Sequence, residues 1–286
     1  MSERAIHFSC EGAPLLGVIH EPDVQAKTGL IIVVAGGPQY RVGVNRQFVM
    51  LARMLAAQGV VTLRFDHRGI GDSGGDYRGF LGMSEDINCA INELMSTNPD
   101  LENVILWGEC ESASAIAFYA HLDPRVSGIF LVNPWIRTEE GEAKTYLKHY
   151  YLGRLLDRSL WSKLVSGSFS YRESIGSLFG FVGSAVSRKR STGTALNRDE
   201  LQDLPLPQRL ERSVEKFLGK VFIITSGRDF IAQEFRDYVA VSQVWKKILS
   251  SVGVQEYVVE NADHSFSRLE WREELFEYTR SWVDSI

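Results

Sequence analysis

The chain is short of cysteine, of long apolar runs and of net positive charge, and each shortage removes a class of function. Three cysteines, Cys10, Cys89 and Cys110, stand among 286 residues. They are too few and too scattered for a disulfide framework or a thiolate metal cluster, which fits a reducing compartment. No apolar run reaches the roughly 18 residues of a membrane span, and Met1-Ser2-Glu3-Arg4 lacks the basic and apolar segments of a leader. A cytoplasmic location is expected. The 31 Lys and Arg face 36 Asp and Glu, a net charge of -5, and no nucleic-acid partner is expected. No phosphate loop, redox fingerprint or metal-ligand set occurs, so neither cofactor nor metal is expected.

What is present is a globular composition, 44% hydrophobic and 11% aromatic, enough for one large core plus an insertion. Two apolar runs, 5–10 and 14–20, flank Glu11-Gly12 as in a hairpin. Gly29 to Ala35 is a β-branched run of the kind buried on both faces of a sheet. Thereafter helix and strand alternate: a helix about Phe48 to Leu55, a strand Val60 to Phe65, a helix about Ile87 to Leu94, strands at Val104 to Trp107 and Gly128 to Val132. After a gap come a strand Lys220 to Thr225, a helix about Phe235 to Leu249, a strand Val254 to Glu260 and an amphipathic helix from Leu269 to Trp282. This alternation predicts an α/β fold, a mainly parallel central sheet with helices on both faces. From 137 to 216 the alternation lapses, so residues 1–136 and 217–286 read as a core domain and 137–216 as an inserted cap or lid.

The chemistry centres on Gly108-Glu109-Cys110-Glu111-Ser112, where an apolar strand meets a small-residue helix. A nucleophile at such a turn needs small neighbours two residues before and two after it, and Gly108 and Ser112 supply them. The helix N-terminus favours negative charge on the Cys110 sulfur, whereas Glu109 and Glu111 oppose it, so a histidine must draw off the proton. In parallel sheets reactive groups gather at the C-terminal ends of strands. The loop after Val258-Val259-Glu260 offers His264, and the loop after Ile223-Ile224-Thr225 offers Asp229. The chain order Cys110, Asp229, His264 is nucleophile, acid, base. The backbone N–H groups of Gly37 and Glu111 are candidates for holding the oxyanion of acyl transfer. Asp66-His67-Arg68-Gly69-Ile70-Gly71-Asp72-Ser73 reads mainly as a loop fixed by its glycines and an Arg–Asp pair, with His67 in reach of substrate.

The elbow resembles that of the α/β-hydrolases, with Cys for Ser at the nucleophile and Ser for the second Gly. Together with Gly36-Gly37-Pro38-Gln39-Tyr40-Arg41 and the segment from Phe65 to Ser73, it resembles the exosortase A system-associated hydrolases of bacteria. Membership implies a role near exopolysaccharide production and envelope protein sorting. The cysteine at the elbow is similar to that of dienelactone hydrolases and polyhydroxyalkanoate synthases.

The expected activity is hydrolysis of an ester or thioester through a Cys110-His264-Asp229 triad and an acyl-Cys intermediate. An acyltransferase with the same intermediate and a non-catalytic binding protein on the same fold are the alternatives, since fold alone does not choose. Between 143 and 198 ten Lys or Arg face two acids, a net of +8, leaving -13 on the rest of the chain. A basic, aromatic cap around Tyr146, Lys148, Tyr150, Trp161 and Arg188-Lys189-Arg190 could take a small-molecule or lipid-linked acyl substrate of anionic character, or touch an anionic membrane surface. The sequence leaves the oligomeric state open.

Overall fold

The computed structural model describes residues 1–35, 40–137 and 200–286. Within them lies an eight-stranded sheet in the order β1-β2-β4-β3-β5-β6-β7-β8. The hairpin β1 (Ser2–Cys10) and β2 (Ala13–Glu21) runs antiparallel at one edge, joined through the turn at Glu11 and Gly12. β2 is also antiparallel to β4 (Val61–Asp66). All the other pairings, through β3 (Thr28–Val33), β5 (Asn103–Glu109), β6 (Val126–Val132), β7 (Lys220–Ser226) and β8 (Val254–Val259), are parallel. The chain steps from β3 to β4 in one direction and then to β5 in the other. Crevices form at such reversals, beyond the C-terminal ends of the strands.

Side chains alternating along each strand feed two cores, one on each face. On one face Ile31, Val33, Leu106 and Leu131 pack with α2 (Ser84–Thr97), α3 (Glu111–Ala120) and α4 (Leu206–Lys216). On the other, Leu30, Ile32, Ile105 and Trp107 pack with α1 (Gln47–Ala57) and α7 (Leu269–Val283). Trp107, Phe130 and Phe222 are register partners on β5, β6 and β7 and form a stacked ladder, with centroids 6.2 and 4.8 Å apart. Trp107 also donates to Thr279 Oγ1 on α7 at 3.3 Å, which satisfies its indole N–H in the core.

The helix expected over Phe235 to Leu249 is two helices, α5 (Phe230–Val241) and α6 (Gln243–Leu249). Ser242 has extended backbone between them, and its Oγ accepts from Trp245 N as the cap of α6. A capping serine offers the backbone a stop that hydrophobic spacing does not register. Helix α4 falls within the range expected as a cap, yet it buries Leu210 and Val214 in the core beside α3. The remainder of that range, residues 138–199 with its basic and aromatic stretches, lies outside the described residues. Among the described residues no helix is long and apolar enough to cross a membrane.

Candidate active site

Cys110 occupies the single residue between β5 and α3 at φ 61° and ψ -125°, a backbone that L-residues rarely adopt. Its N–H donates to Val132 O at 2.8 Å, which pins the turn to the end of β6. Ser112 locks the turn from within, accepting from Glu109 N at 2.9 Å and donating to Glu109 O at 2.8 Å. Gly108 is required sterically: a Cβ there would lie 2.8 Å from the backbone carbonyl group of Ser112. The small residues flanking Cys110 leave room for the tight turn, and the backbone strain falls on Cys110 itself.

Asp229 caps α5, its two carboxylate oxygens accepting from Ile231 N and Ala232 N at 3.1 Å each. His264 Nδ1 meets Asp229 Oδ2 at 2.6 Å, and Cys110 is the ring's other ionisable neighbour. Burial alone would push the imidazole down, but the hydrogen bond to Asp229 and the neighbouring Cys110 thiol outweigh it and hold the ring up at about 10. Burial likewise works to raise Asp229, and the His264 contact and the helix amides keep it below the usual carboxylate range. Asp263, the neighbour that could have claimed His264, instead accepts from Ser267 N at 3.0 Å.

A residue that sequence reasoning passed over holds this arrangement together. Asn133, fully buried just after β6 with φ 47°, accepts from Ser226 N at 2.8 Å and donates to His264 O at 2.9 Å. It ties the end of β7, just before Asp229, to the loop that carries His264. The only signal in the sequence is an asparagine at a strand end, which is also a common turn residue.

Glu109 is one of the two carboxylates expected to oppose charge on the sulfur. Its side chain is buried, with Oε2 accepting from Gln47 Nε2 at 2.6 Å and no partner at Oε1. Burial raises it from 4.5 to about 7, against the pull of His264 and Gln47, so it sheds much of its charge near neutral pH. Because the folded value lies above the unfolded one, ionisation costs no stability below about pH 4.5; the cost grows as pH rises and is complete above about 7. Glu109→Gln should therefore melt with the wild type at pH 4.5 and above it at pH 8 in thermal scans at the two pH values; equal melting at pH 8 would refute a buried ionisable Glu109.

Glu111 is the first residue of α3, where amides point out of the helix N-terminus. Gly37, the other oxyanion candidate, lies outside the described residues. His67 is buried and stacked on Tyr77, with its Nδ1 at 3.3 Å from Arg68 O, and burial depresses its basicity. The arginine of its loop pairs outside the loop: Arg68 is clamped by Asp86 on α2, with Nη2 at 2.8 Å, and by Glu11. Arg41 instead takes Asp66 and Asp72. A cavity of about 220 Å³ lined by Gly227, Arg228, Asp229, Phe230 and Gln233 opens beside the acid.

The hydrolase family described as serine aminopeptidase, S33, matches residues 27–234. A thiohydrolase of Arthrinium phaeospermum named apmlB is 30% identical over 139 residues, 47% of this chain and 43% of its own length, so the match spans less than half of that relative. Among solved structures, an esterase of Pyrococcus furiosus superposes with a TM-score of 0.65 at 15% identity, covering 99% of this chain and 91% of its own. A thermostable carboxyl esterase of Bacillus coagulans gives 0.63 at 16%, covering 100% and 99%. With its mostly parallel sheet, its strained elbow and a family match over most of its length, the chain belongs to the serine aminopeptidase S33 family and has the α/β-hydrolase fold.

Proposed function

We propose that the protein is a hydrolase of esters or thioesters that works through a covalent acyl group on Cys110. The observation that carries this reading is one imidazole bridging a buried carboxylate and a thiol held at a strained turn, His264 between Asp229 at 2.6 Å and Cys110. With Nδ1 committed to Asp229, Nε2 is the nitrogen left to serve the sulfur. The Cys110 sulfur attacks the acyl carbon as His264 takes its proton. The tetrahedral oxyanion is held by the Glu111 N–H, with Gly37 as the second donor, and the leaving group departs with the proton from His264. Water, deprotonated by His264, then cleaves the acyl-Cys bond.

The family is described by its serine enzymes, and cysteine at the elbow is the departure here. It favours thioesters, because exchange of one thiolate for another is nearly isoenergetic, and the thiohydrolase relative points the same way. The finer assignment, to the exosortase-associated hydrolases of bacteria, rests on the Gly36 to Arg41 and Phe65 to Ser73 motifs. A cap over 137–216, whose residues 143–198 carry a net of +8, would select anionic or lipid-linked acyl groups in a cytoplasmic setting, and release to an acceptor other than water would make the same intermediate an acyltransferase.

The test is direct capture of the intermediate. Mixed with a p-nitrophenyl ester or an acyl thioester and quenched in acid, the protein should gain one acyl mass, mapped to the Cys110 peptide and absent from Cys110→Ala. Turnover without an adduct in the wild type, or an adduct elsewhere, would refute the acyl-Cys110 route.

A further inference from the structure

Arg41 lies in the connection between β3 and α1, and its backbone is gripped from both sides by β4. Its N–H donates to Asp66 Oδ1 at 2.6 Å, and its carbonyl accepts from Arg64 Nη1 at 3.1 Å. Arg64 and Asp66 are two residues apart on one strand, so their side chains leave the same face of the sheet. Both are buried, Asp66 completely. The guanidinium is aimed from behind: Arg64 Nε donates at 2.8 Å to Nε2 of His20, itself fully buried on β2. Asp66 also takes the Arg41 side chain and, at 3.2 Å, the amide of Asp72.

The same connection is held again where α1 begins. Gln47 donates to Glu109, the residue before Cys110, at 2.6 Å. Between the two holds, Asn45 and Arg46 have φ of 51° and 61°, consecutive left-handed residues that are not glycine. Such backbone persists only where its surroundings over-determine it, and it gathers at functional sites. Buried Arg and Asp are a poor source of stability, because desolvation offsets most of their attraction. What this network does achieve is to fix the backbone of one residue.

We propose that Arg64 and Asp66 are positioning residues for acyl transfer, which hold the connection between β3 and α1 where it stabilises the tetrahedral oxyanion. The inference rests on the acyl-Cys110 reading, in which Gly37, four residues before Arg41 in the chain, supplies one of the two N–H donors. Val34 and Ala35, just after β3, are buried, so the chain is fixed before Gly37 by the sheet and after it by the grip on Arg41. Donors to an oxyanion work by standing in place before the charge develops. Arg64 and Asp66 act through Arg41 and not on the reacting atoms.

The experiment compares wild type with Asp66→Ala, Asp66→Asn, Arg64→Met and Asp72→Ala. Each is assayed on one thioester and for inhibition by the trifluoromethyl ketone carrying the same acyl chain. The Cys110 sulfur adds to the ketone carbon while His264 keeps the thiol proton, so the adduct carries the oxyanion and has no leaving group. Asp66→Ala should lower kcat about 100-fold and weaken the ketone in step, with KM little changed. Arg64→Met should move both readouts in the same direction. Asp66→Asn keeps an oxygen for the Arg41 N–H and should recover most of the loss. Asp72→Ala removes only an exposed partner of the Arg41 side chain and should match wild type. Should Asp66→Ala melt below the assay temperature, Arg64→Met decides on the same two readouts. Folded variants that keep wild-type kcat, that lose kcat without weakening the ketone, or that are matched by Asp72→Ala would overturn the proposal. Failure of the acyl-Cys110 reading shows separately, as a wild type that forms no adduct on Cys110.

Discussion

Cys110→Ala should lower kcat/KM by at least about 10⁴-fold, with His264→Ala equally damaging and the double variant no worse than either. The non-additivity is the informative part. Once the sulfur is gone, the imidazole has no proton to take, and once the imidazole is gone the sulfur has no base; what remains in both is binding and the oxyanion amides. Asp229→Asn should be milder but large, because the amide no longer favours the charged ring that Asp229 holds at 2.6 Å. Cys110→Ser should retain partial activity, since His264 can serve a hydroxyl at the same position. Melting temperatures close to wild type in the alanine variants would show that the loss is chemical. Activity near wild type in Cys110→Ala, measured on esters and thioesters alike, would remove the thiol route.

Gly227→Ala should cost about 100-fold in kcat although it touches none of the reacting groups, the scale expected of a displacement near 1 Å. Gly227 sits at the end of β7, two residues before Asp229, and its N–H donates to Val259 O at 2.9 Å. A Cβ there would fall 2.1 Å from Glu260 O and 2.6 Å from its carbonyl carbon. Those are backbone atoms and cannot swing aside, so the β7 and β8 loops must part, and Asp229 and His264 ride one on each. Gly253→Ala is the control. There φ is +98° but the nearest atom to a Cβ is 3.9 Å away, so about 1 kcal/mol of stability should go with no change in kcat. Kinetics and thermal melts on both variants decide the matter; unchanged kcat in Gly227→Ala would mean that the loops tolerate separation.

These cases mark what the sequence discloses. Buried strands are written as β-branched runs and helices as spaced apolar residues, so the order of elements and the strands that end at Cys110, Asp229 and His264 are readable from local pattern. Contacts between distant residues are not. Asn133 acquires its role only because β7 and the His264 loop, 93 and 131 residues further on, close around it. Glu109 reads as a charge flanking the nucleophile until Gln47, 62 residues earlier, is found covering it. Arg68 has acids near it in its own loop, and tertiary structure gives it Glu11 and Asp86 instead.

The direct pairing of β6 with β7, from Gly128 opposite Lys220 to Val132 opposite Ile224, bears on how this chain can diversify. The long segment between these strands leaves and returns at hydrogen-bonded neighbours, so its closure is a problem in chain entropy. Closure entropy rises only with the logarithm of length, about 0.6 kcal/mol for each doubling. Lengthening, trimming or exchanging residues 138–199 therefore draws little on the stability of the sheet, and the strands that set Cys110, Asp229 and His264 need not feel it. Whatever selectivity that segment confers can drift on its own evolutionary clock, while the frame of strands stays under a separate and stricter constraint.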